Sequence, residues 1–379
     1  MKRFFCFLIL SVLLISSAVV PAAAEDCSAK GAVVIESLSE TVLYEKNADA
    51  PLPEASTTKI MTALLVLESI DLQREITVSA SAGAVEGSQL GLTAGDRLTV
   101  RDLLYVLMLK SGNDAAEALA EGVAGSVSEF VDRMNRRATE IGLKNTQFQN
   151  PHGLPAEGHY TTARDLAMLT AAALENEDFC KIVSAKRAKL TYKNMVITNS
   201  NKLLDTCDGV FGVKTGFTKK AGRCLVTAAE RKGVRLICVT LNDGNDWQDH
   251  ARLYEECFDR VDRQEIVPRQ GYGGFVPVLG GERDATVKNS LPLTCVTIDG
   301  EPIAYQLIPR TVPRIFAPSE QGITLGYLQA VTPTGRVISS SPLNTAHTVL
   351  QKKEERTFFG SFPLLLRKMF RTLTSGIAF

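Results

Sequence analysis

The chain has 379 residues with 42 basic and 42 acidic side chains, so its formal net charge is zero and no global field draws it to nucleic acid. Small-molecule or polymer substrates fit that balance better. After an N-terminal export segment, about 355 residues remain, enough for two domains with a substantial core.

Met1-Lys2-Arg3, an apolar run over 4–20 and Pro21-Ala22-Ala23-Ala24-Glu25 give the charged, apolar and small-residue regions of an export signal cut after Ala24. A retained membrane-spanning helix is the competing reading, disfavoured by the Ala-x-Ala site. Cys27 lacks the small-residue context for lipid attachment. Of eight cysteines, Cys6 leaves with the signal, and the remaining seven cannot all pair internally. Cys224 and Cys238 lie in successive strand-like runs within bridging reach, although cysteines of this kind are more often simply buried. No Cys-x-x-Cys or clustered histidine pattern suggests a metal site, and no cofactor is expected.

Residues 31–36 and 41–45 read as two strands around a polar turn. Ser56-Thr57-Thr58-Lys59 follows and opens a helix in which Ile60, Leu64, Leu67 and Ile70 recur at helical spacing. A serine three residues before a lysine puts hydroxyl and amine on one helical face, a nucleophile beside its base at a helix N-terminus. Alone this spacing is weak, since a serine there is usually an N-cap.

Residues 87–96 are glycine-rich and irregular, and Thr99 then caps a helix over 100–110 with Asp102 as its capping-box partner. Ser111-Gly112-Asn113 breaks that helix and the next begins at Asp114, so Ser111 and Asn113 sit in an inter-helix turn, able to face a cleft. Helices over 130–141 and 162–174 flank the loop Asn150-Pro151-His152-Gly153-Leu154, with His152 read as a loop or packing residue. Short strands over 209–215, 223–230 and 234–241 then precede a helix over 250–260. Lys214-Thr215-Gly216-Phe217-Thr218 falls at the end of the first of these, where Gly216 allows close approach of a ligand to the backbone.

From 264 to 281 the chain turns Gly/Pro-rich, and runs over 284–289, 293–298, 323–331 and 336–339 describe a small all-β domain with no catalytic constellation. In 357–379, Phe359, Phe362, Leu366, Met369, Phe370, Leu373 and Ile377 share one side of a helical wheel, with Arg367, Lys368 and Arg371 opposite. That pattern suits a helix lying in the plane of an anionic bilayer. The expected organisation is a signal at 1–24, an α+β catalytic domain at 25–263, a β-rich domain at 264–350, and a linker with amphipathic anchor at 351–379.

Acyl transfer needs a nucleophile, a base, a proton route and oxyanion donors. Ser56 is the expected nucleophile and Lys59 its base, with the Lys59 pKa lowered by burial and by Lys214. Ser111 would relay the proton to the departing amine, and Asn113 would orient Lys59 and hold the substrate backbone. Lys214 and Thr215 are expected to hold a free carboxylate, with the N–H groups of Ser56 and Phe217 as oxyanion donors.

The three motifs Ser56-Thr57-Thr58-Lys59, Ser111-Gly112-Asn113 and Lys214-Thr215-Gly216 resemble those of the penicillin-recognising serine enzymes. With Asn150-Pro151-His152-Gly153-Leu154, the β-rich C-terminal domain and the terminal helix, the chain is most similar to the low-molecular-mass D-alanyl-D-alanine carboxypeptidases (peptidase family S11). The resemblance implies a β-lactamase/transpeptidase-like domain with an antiparallel sheet between helices. It also implies removal of the last D-alanine from peptidoglycan stem pentapeptides, acylation of Ser56 by β-lactams, and a place on the outer face of the cytoplasmic membrane. Some relatives carry a carboxylate-gripping arginine just before the helix at His250, where this chain reads Asn245-Asp246-Trp247-Gln248-Asp249. Competing readings are a class A β-lactamase, whose middle motif is usually Ser-Asp-Asn, a cross-bridge endopeptidase, a non-catalytic muropeptide sensor, and a Ser-His-Asp hydrolase, for which no Gly-x-Ser-x-Gly elbow is present.

Overall fold

A computed structural model of the chain describes residues 27–353. The export signal and the amphipathic segment expected over 357–379 lie outside the described residues. The first half of the fold is α+β, built on a five-stranded antiparallel sheet of β1 (Gly31–Glu36), β2 (Val42–Lys46), β3 (Val210–Thr218), β4 (Gly222–Arg231) and β5 (Val234–Leu241), in the order β2-β1-β5-β4-β3. All six residues of β1 are buried, as a strand covered on both faces requires. The strand that carries Lys214 is an edge strand.

One sheet face packs against helices α1 (Lys59–Ser69), α2 (Val100–Tyr105), α3 (Asn113–Ala124), α4 (Val127–Ile141) and α5 (Ala163–Ala173). α1 is buried continuously from Lys59 to Val66, the behaviour of a helix apolar all round. The other face packs against α6 (Asp246–Phe258), which contributes Leu253, Tyr254 and Cys257 to a second core. His250 pins this helix to the sheet, with Nδ1 2.7 Å from Thr227 Oγ1 and Nε2 3.0 Å from Thr240 Oγ1.

Three local expectations change. Thr99 caps α2, but Asp102 does not close a capping box: its carboxylate instead accepts from the Tyr192 N–H at 3.0 Å. The helix expected over 100–110 is α-helical only to Tyr105 and widens into a π turn over Val106–Lys110, which delivers Ser111 in the left-handed region at φ +62°. α6 begins at Asp246, four residues before the expected start. Cys224 and Cys238 follow the favoured reading of simple burial: they belong to opposite cores on the two sheet faces and do not bridge, and the seven described cysteines are all free thiols.

Beyond α6 the described residues are all β. Strands β6 (Val261–Val267), β7 (Gly273–Val276), β8 (Ala285–Asn289), β9 (Leu293–Ile298), β10 (Gln306–Thr311), β11 (Thr324–Val331) and β12 (Val337–Thr345) follow. β6 pairs with β9, and the others form a sheet in the order β7-β8-β12-β11-β10. The second core continues into this region through Leu293, Leu328 and Leu343, and Arg336 reaches across to Glu40 and Glu175.

Candidate active site

Ser56 sits in a 3-10 turn, Ala55–Thr58, that leads directly into α1. The Thr57 hydroxyl donates to Glu54 O at 2.7 Å and the Thr58 hydroxyl to Ala55 O at 2.9 Å, which fastens the turn to its own entry. Two glycines press on it. A Cβ on Gly216 would meet Ser56 N and Glu54 O at 3.1 Å, and a Cβ on Gly153 would stand 1.8 Å from Ala55 O. Gly153 also has φ +88°, so both space and backbone demand glycine there. The turn bearing the serine approaches Gly216, which also lines the cleft where a ligand is expected.

Lys59, fully buried, points its Nζ at three oxygens: Ser56 Oγ at 3.0 Å, Asn113 Oδ1 at 2.7 Å and the His152 carbonyl at 2.7 Å. The Asn113 orientation is fixed because its Nδ2 donates to Glu86 O at 2.6 Å, leaving Oδ1 as an acceptor. Burial, and then the positive charge of Lys214, drive the Lys59 pKa well below the usual lysine value, with Asp114 opposing. A neutral amine has two N–H groups and one lone pair. In that neutral form Asn113 Oδ1 and His152 O, which can only accept, would take the two hydrogens and leave the lone pair for the Ser56 hydroxyl.

His152 contributes through its backbone, and its imidazole is held neutral, with a pKa lowered to about 3 by burial and by Lys59. The same loop supplies Pro151 O, which accepts from the Thr62 hydroxyl at 2.6 Å. Asn113, the first residue of α3, is tied through its N–H to Ser88 O at 2.7 Å. Ser111 lines the same cleft as Ser56.

The third motif lies within β3 and not at its end, because the strand continues to Thr218. Alternation therefore splits it. Lys214 turns inward, 1 % exposed, its Nζ donating to Thr215 O at 2.8 Å and its pKa lowered to about 7 by burial. Thr215 and Phe217 face the cleft, with Thr215 Oγ1 3.0 Å from Ser200 Oγ and Phe217 66 % exposed. The cleft wall thus carries the Thr215 hydroxyl, and the buried Lys214 lies behind it.

The cleft, of about 520 Å³, includes a cation that sequence reasoning missed. Arg223 stands opposite Phe217 in the β3–β4 register. Its Nε donates to Asp246 Oδ1 at 2.9 Å, and its guanidinium carbon lies 5.7 Å from the centroid of the Trp247 ring. The segment before His250, which lacks an arginine, instead supplies the acid and the aromatic ring that position an arginine from the neighbouring strand. The signal available was the Asp-Trp pair at the start of a helix.

Comparison with known proteins places this geometry among cell-wall enzymes. The D-alanyl-D-alanine carboxypeptidase family, Peptidase S11, matches residues 18–245. The D-alanyl-D-alanine carboxypeptidase DacF of Bacillus subtilis is 33 % identical over 364 residues, covering 90 % of this chain and 93 % of DacF. Among solved structures, a peptidoglycan synthesis regulatory factor of Streptococcus pneumoniae, penicillin-binding protein 3, superposes with a TM-score of 0.71 at 27 % identity, covering 86 % of this chain and all of that one (100 %). Penicillin-binding protein D2 of Listeria monocytogenes, in its ampicillin-bound form, gives 0.56 at 31 % identity, covering 61 % of this chain and 97 % of that one.

Proposed function

The chain belongs to the D-alanyl-D-alanine carboxypeptidase family, and on that premise we propose how its residues remove the terminal D-alanine from peptidoglycan stem peptides and take up β-lactams. The observation that carries the reading is Lys59 Nζ held 3.0 Å from Ser56 Oγ and 2.7 Å from both Asn113 Oδ1 and the His152 carbonyl. The amine takes the serine proton as Oγ attacks the carbonyl carbon of the penultimate D-alanine. The N–H groups of Ser56 and Phe217 receive the oxyanion, and the close fit of Gly216 against the Ser56 turn keeps those two backbone segments together.

Collapse of the tetrahedral intermediate breaks the C–N bond, with the proton passing from Lys59 through Ser111 to the leaving amine. The ester on Ser56 is then cleaved by water, with Lys59 again as base. Asn113 orients Lys59 and borders the substrate backbone. Thr215 and Arg223 hold the terminal carboxylate, and Lys214 adds positive potential behind them. β-Lactams enter by the same acylation.

Residues 25–263 form the catalytic unit and 264–350 a β-rich support, preceded by an export signal at 1–24 and followed by an amphipathic segment at 357–379 that rests on the outer face of the membrane. No helix among the described residues is long and apolar enough to cross a membrane. D-alanine release from a diacetyl-lysyl-D-alanyl-D-alanine peptide by wild type, with none from Ser56→Ala, tests the catalytic reading. Equal release by the two proteins overturns it.

A further inference from the structure

The far end of the β-rich region carries an apolar row that no part of the described fold covers. Along 275–279, Phe275, Pro277 and Leu279 are exposed while Val276 and Val278 are buried, the alternation of an extended strand with one wet face. Phe275 is 73 % exposed and Leu279 42 %. The row continues laterally, because Leu279 pairs directly with Phe316, itself 73 % exposed. Two aromatic side chains and a leucine presented together at one tip differ from the scattered apolar residues of an ordinary surface.

The row lies where the chain leaves the described residues. The Lys352 N–H donates to Gly280 O at 2.8 Å and the Glu282 N–H to Leu350 O at 3.0 Å, so the last described residues run beside Gly280 and end at the exposed Lys352 and Lys353. Arg314, next to Ile315, is exposed as well. Only three residues separate Lys353 from position 357, and the four chain steps reach at most about 14 Å. If 357–379 lies in the interface of an anionic bilayer, Lys353 is held within that distance of lipid, and the Lys352–Gly280 bond sets its end of the chain beside the Leu279–Phe316 pair.

We infer that the Phe275–Leu279 row with Phe316 is a second, lipid-contacting element, which enters the interfacial layer of an anionic bilayer beside the terminal segment. Aromatic rings favour that layer, and Lys352, Lys353 and Arg314 face its headgroups. Two contacts on one rigid domain fix orientation as well as attachment: the terminal segment tethers, and the tip sets the domain upright. This inference rests on the membrane reading given above.

The test uses the full chain without its export signal, on vesicles of phosphatidylglycerol and phosphatidylcholine. Phe275→Ser/Phe316→Ser is expected to weaken partition roughly tenfold. In Phe316→Trp, the introduced indole, read against the single native Trp247, is expected to blue-shift on binding and to be quenched by headgroup-proximal doxyl lipid. If the double variant partitions like wild type and the introduced indole stays unquenched while the protein still pellets, the tip is not in lipid and the terminal attachment stands alone. A blue shift without vesicles means that the terminal segment or a second copy covers the row, which overturns the lipid assignment. If the full chain does not pellet at all, the membrane reading itself fails, and this inference with it.

Discussion

Lys59 Nζ lies 2.7 Å from Asn113 Oδ1, a contact between residues 54 positions apart that decides which way the amine faces. Because Asn113 Nδ2 is committed to Glu86 O, Oδ1 can only accept, and one Lys59 hydrogen is spent on it. Asn113→Ala should therefore free the amine to rotate, slowing penicillin acylation of Ser56 by about 100-fold while leaving the fold intact. Stopped-flow acylation with circular dichroism as the folding control checks this; an unchanged acylation rate removes Asn113 from the site.

Lys214 is nearly as buried as Lys59 and pushes the Lys59 pKa down. Lys214→Met should shift the acid limb of acylation to higher pH, since a cation that disfavours protonated Lys59 is gone. The same change should raise stability near neutrality by about 1–3 kcal/mol. With a folded pKa of about 7 against 10.5 unfolded, the unfolded chain binds the extra proton between those values, so this lysine costs stability that is recovered only as pH rises through that window. A pH–rate profile paired with urea titration at pH 7 measures both effects, and a less stable variant contradicts the second.

Arg223 is held by Asp246 and lies beside Trp247 at the cleft wall. Arg223→Ala should raise KM for a D-alanyl-D-alanine peptide by about 10- to 100-fold with kcat within about threefold. A peptide with an amidated C-terminus, lacking the anionic carboxylate, should be turned over about equally by both proteins. Arg223→Lys should recover little, because an ammonium cannot reproduce the planar contacts to Asp246 and the ring. If wild type and Arg223→Ala differ as much on the amide as on the acid, the guanidinium does not read the carboxylate.

The serine–lysine spacing, the serine–asparagine turn and their convergence were legible in the sequence because each is carried by side-chain type at fixed helical or turn offsets. Arg223 was not, since its place depends on the β3–β4 register that sets it opposite Phe217. The His152 carbonyl was invisible for another reason: a backbone acceptor leaves no mark on residue identity. Lys214 was seen, but its inward direction required knowing that the strand runs on to Thr218, which reverses the expectation that it projects into the cleft. The five-stranded core followed from alternation and apolar runs, whereas the π turn before Ser111 has no periodic signature.

Gly153 supports the Ser56 turn from below. Gly153→Ala should destabilise by more than about 2 kcal/mol, since its Cβ would overlap the Ala55 carbonyl and φ is positive. Denaturant unfolding measures the loss; a variant as stable as wild type would show that the loop relaxes freely.

His152 and His250 are both buried neutral, with pKa values lowered to about 3 from 6.5. Between those values the unfolded chain binds protons that the native chain does not, so their contribution is complete above about pH 6.5 and drains away as pH falls toward 3. His250→Asn should lower stability at pH 7 yet flatten the decline between pH 6.5 and 4. Urea midpoints at pH 7, 6, 5 and 4 compare the two slopes, and parallel curves would argue against a buried neutral imidazole.

The most direct measurement is peptide mass mapping of the protein after reaction with benzylpenicillin. A single adduct on Ser56 is expected, absent in Ser56→Ala and formed at least about 1000-fold more slowly in Lys59→Ala. An adduct on another residue, or an undiminished rate without the Lys59 amine, would contradict the assignment of Ser56 as nucleophile and Lys59 as its base.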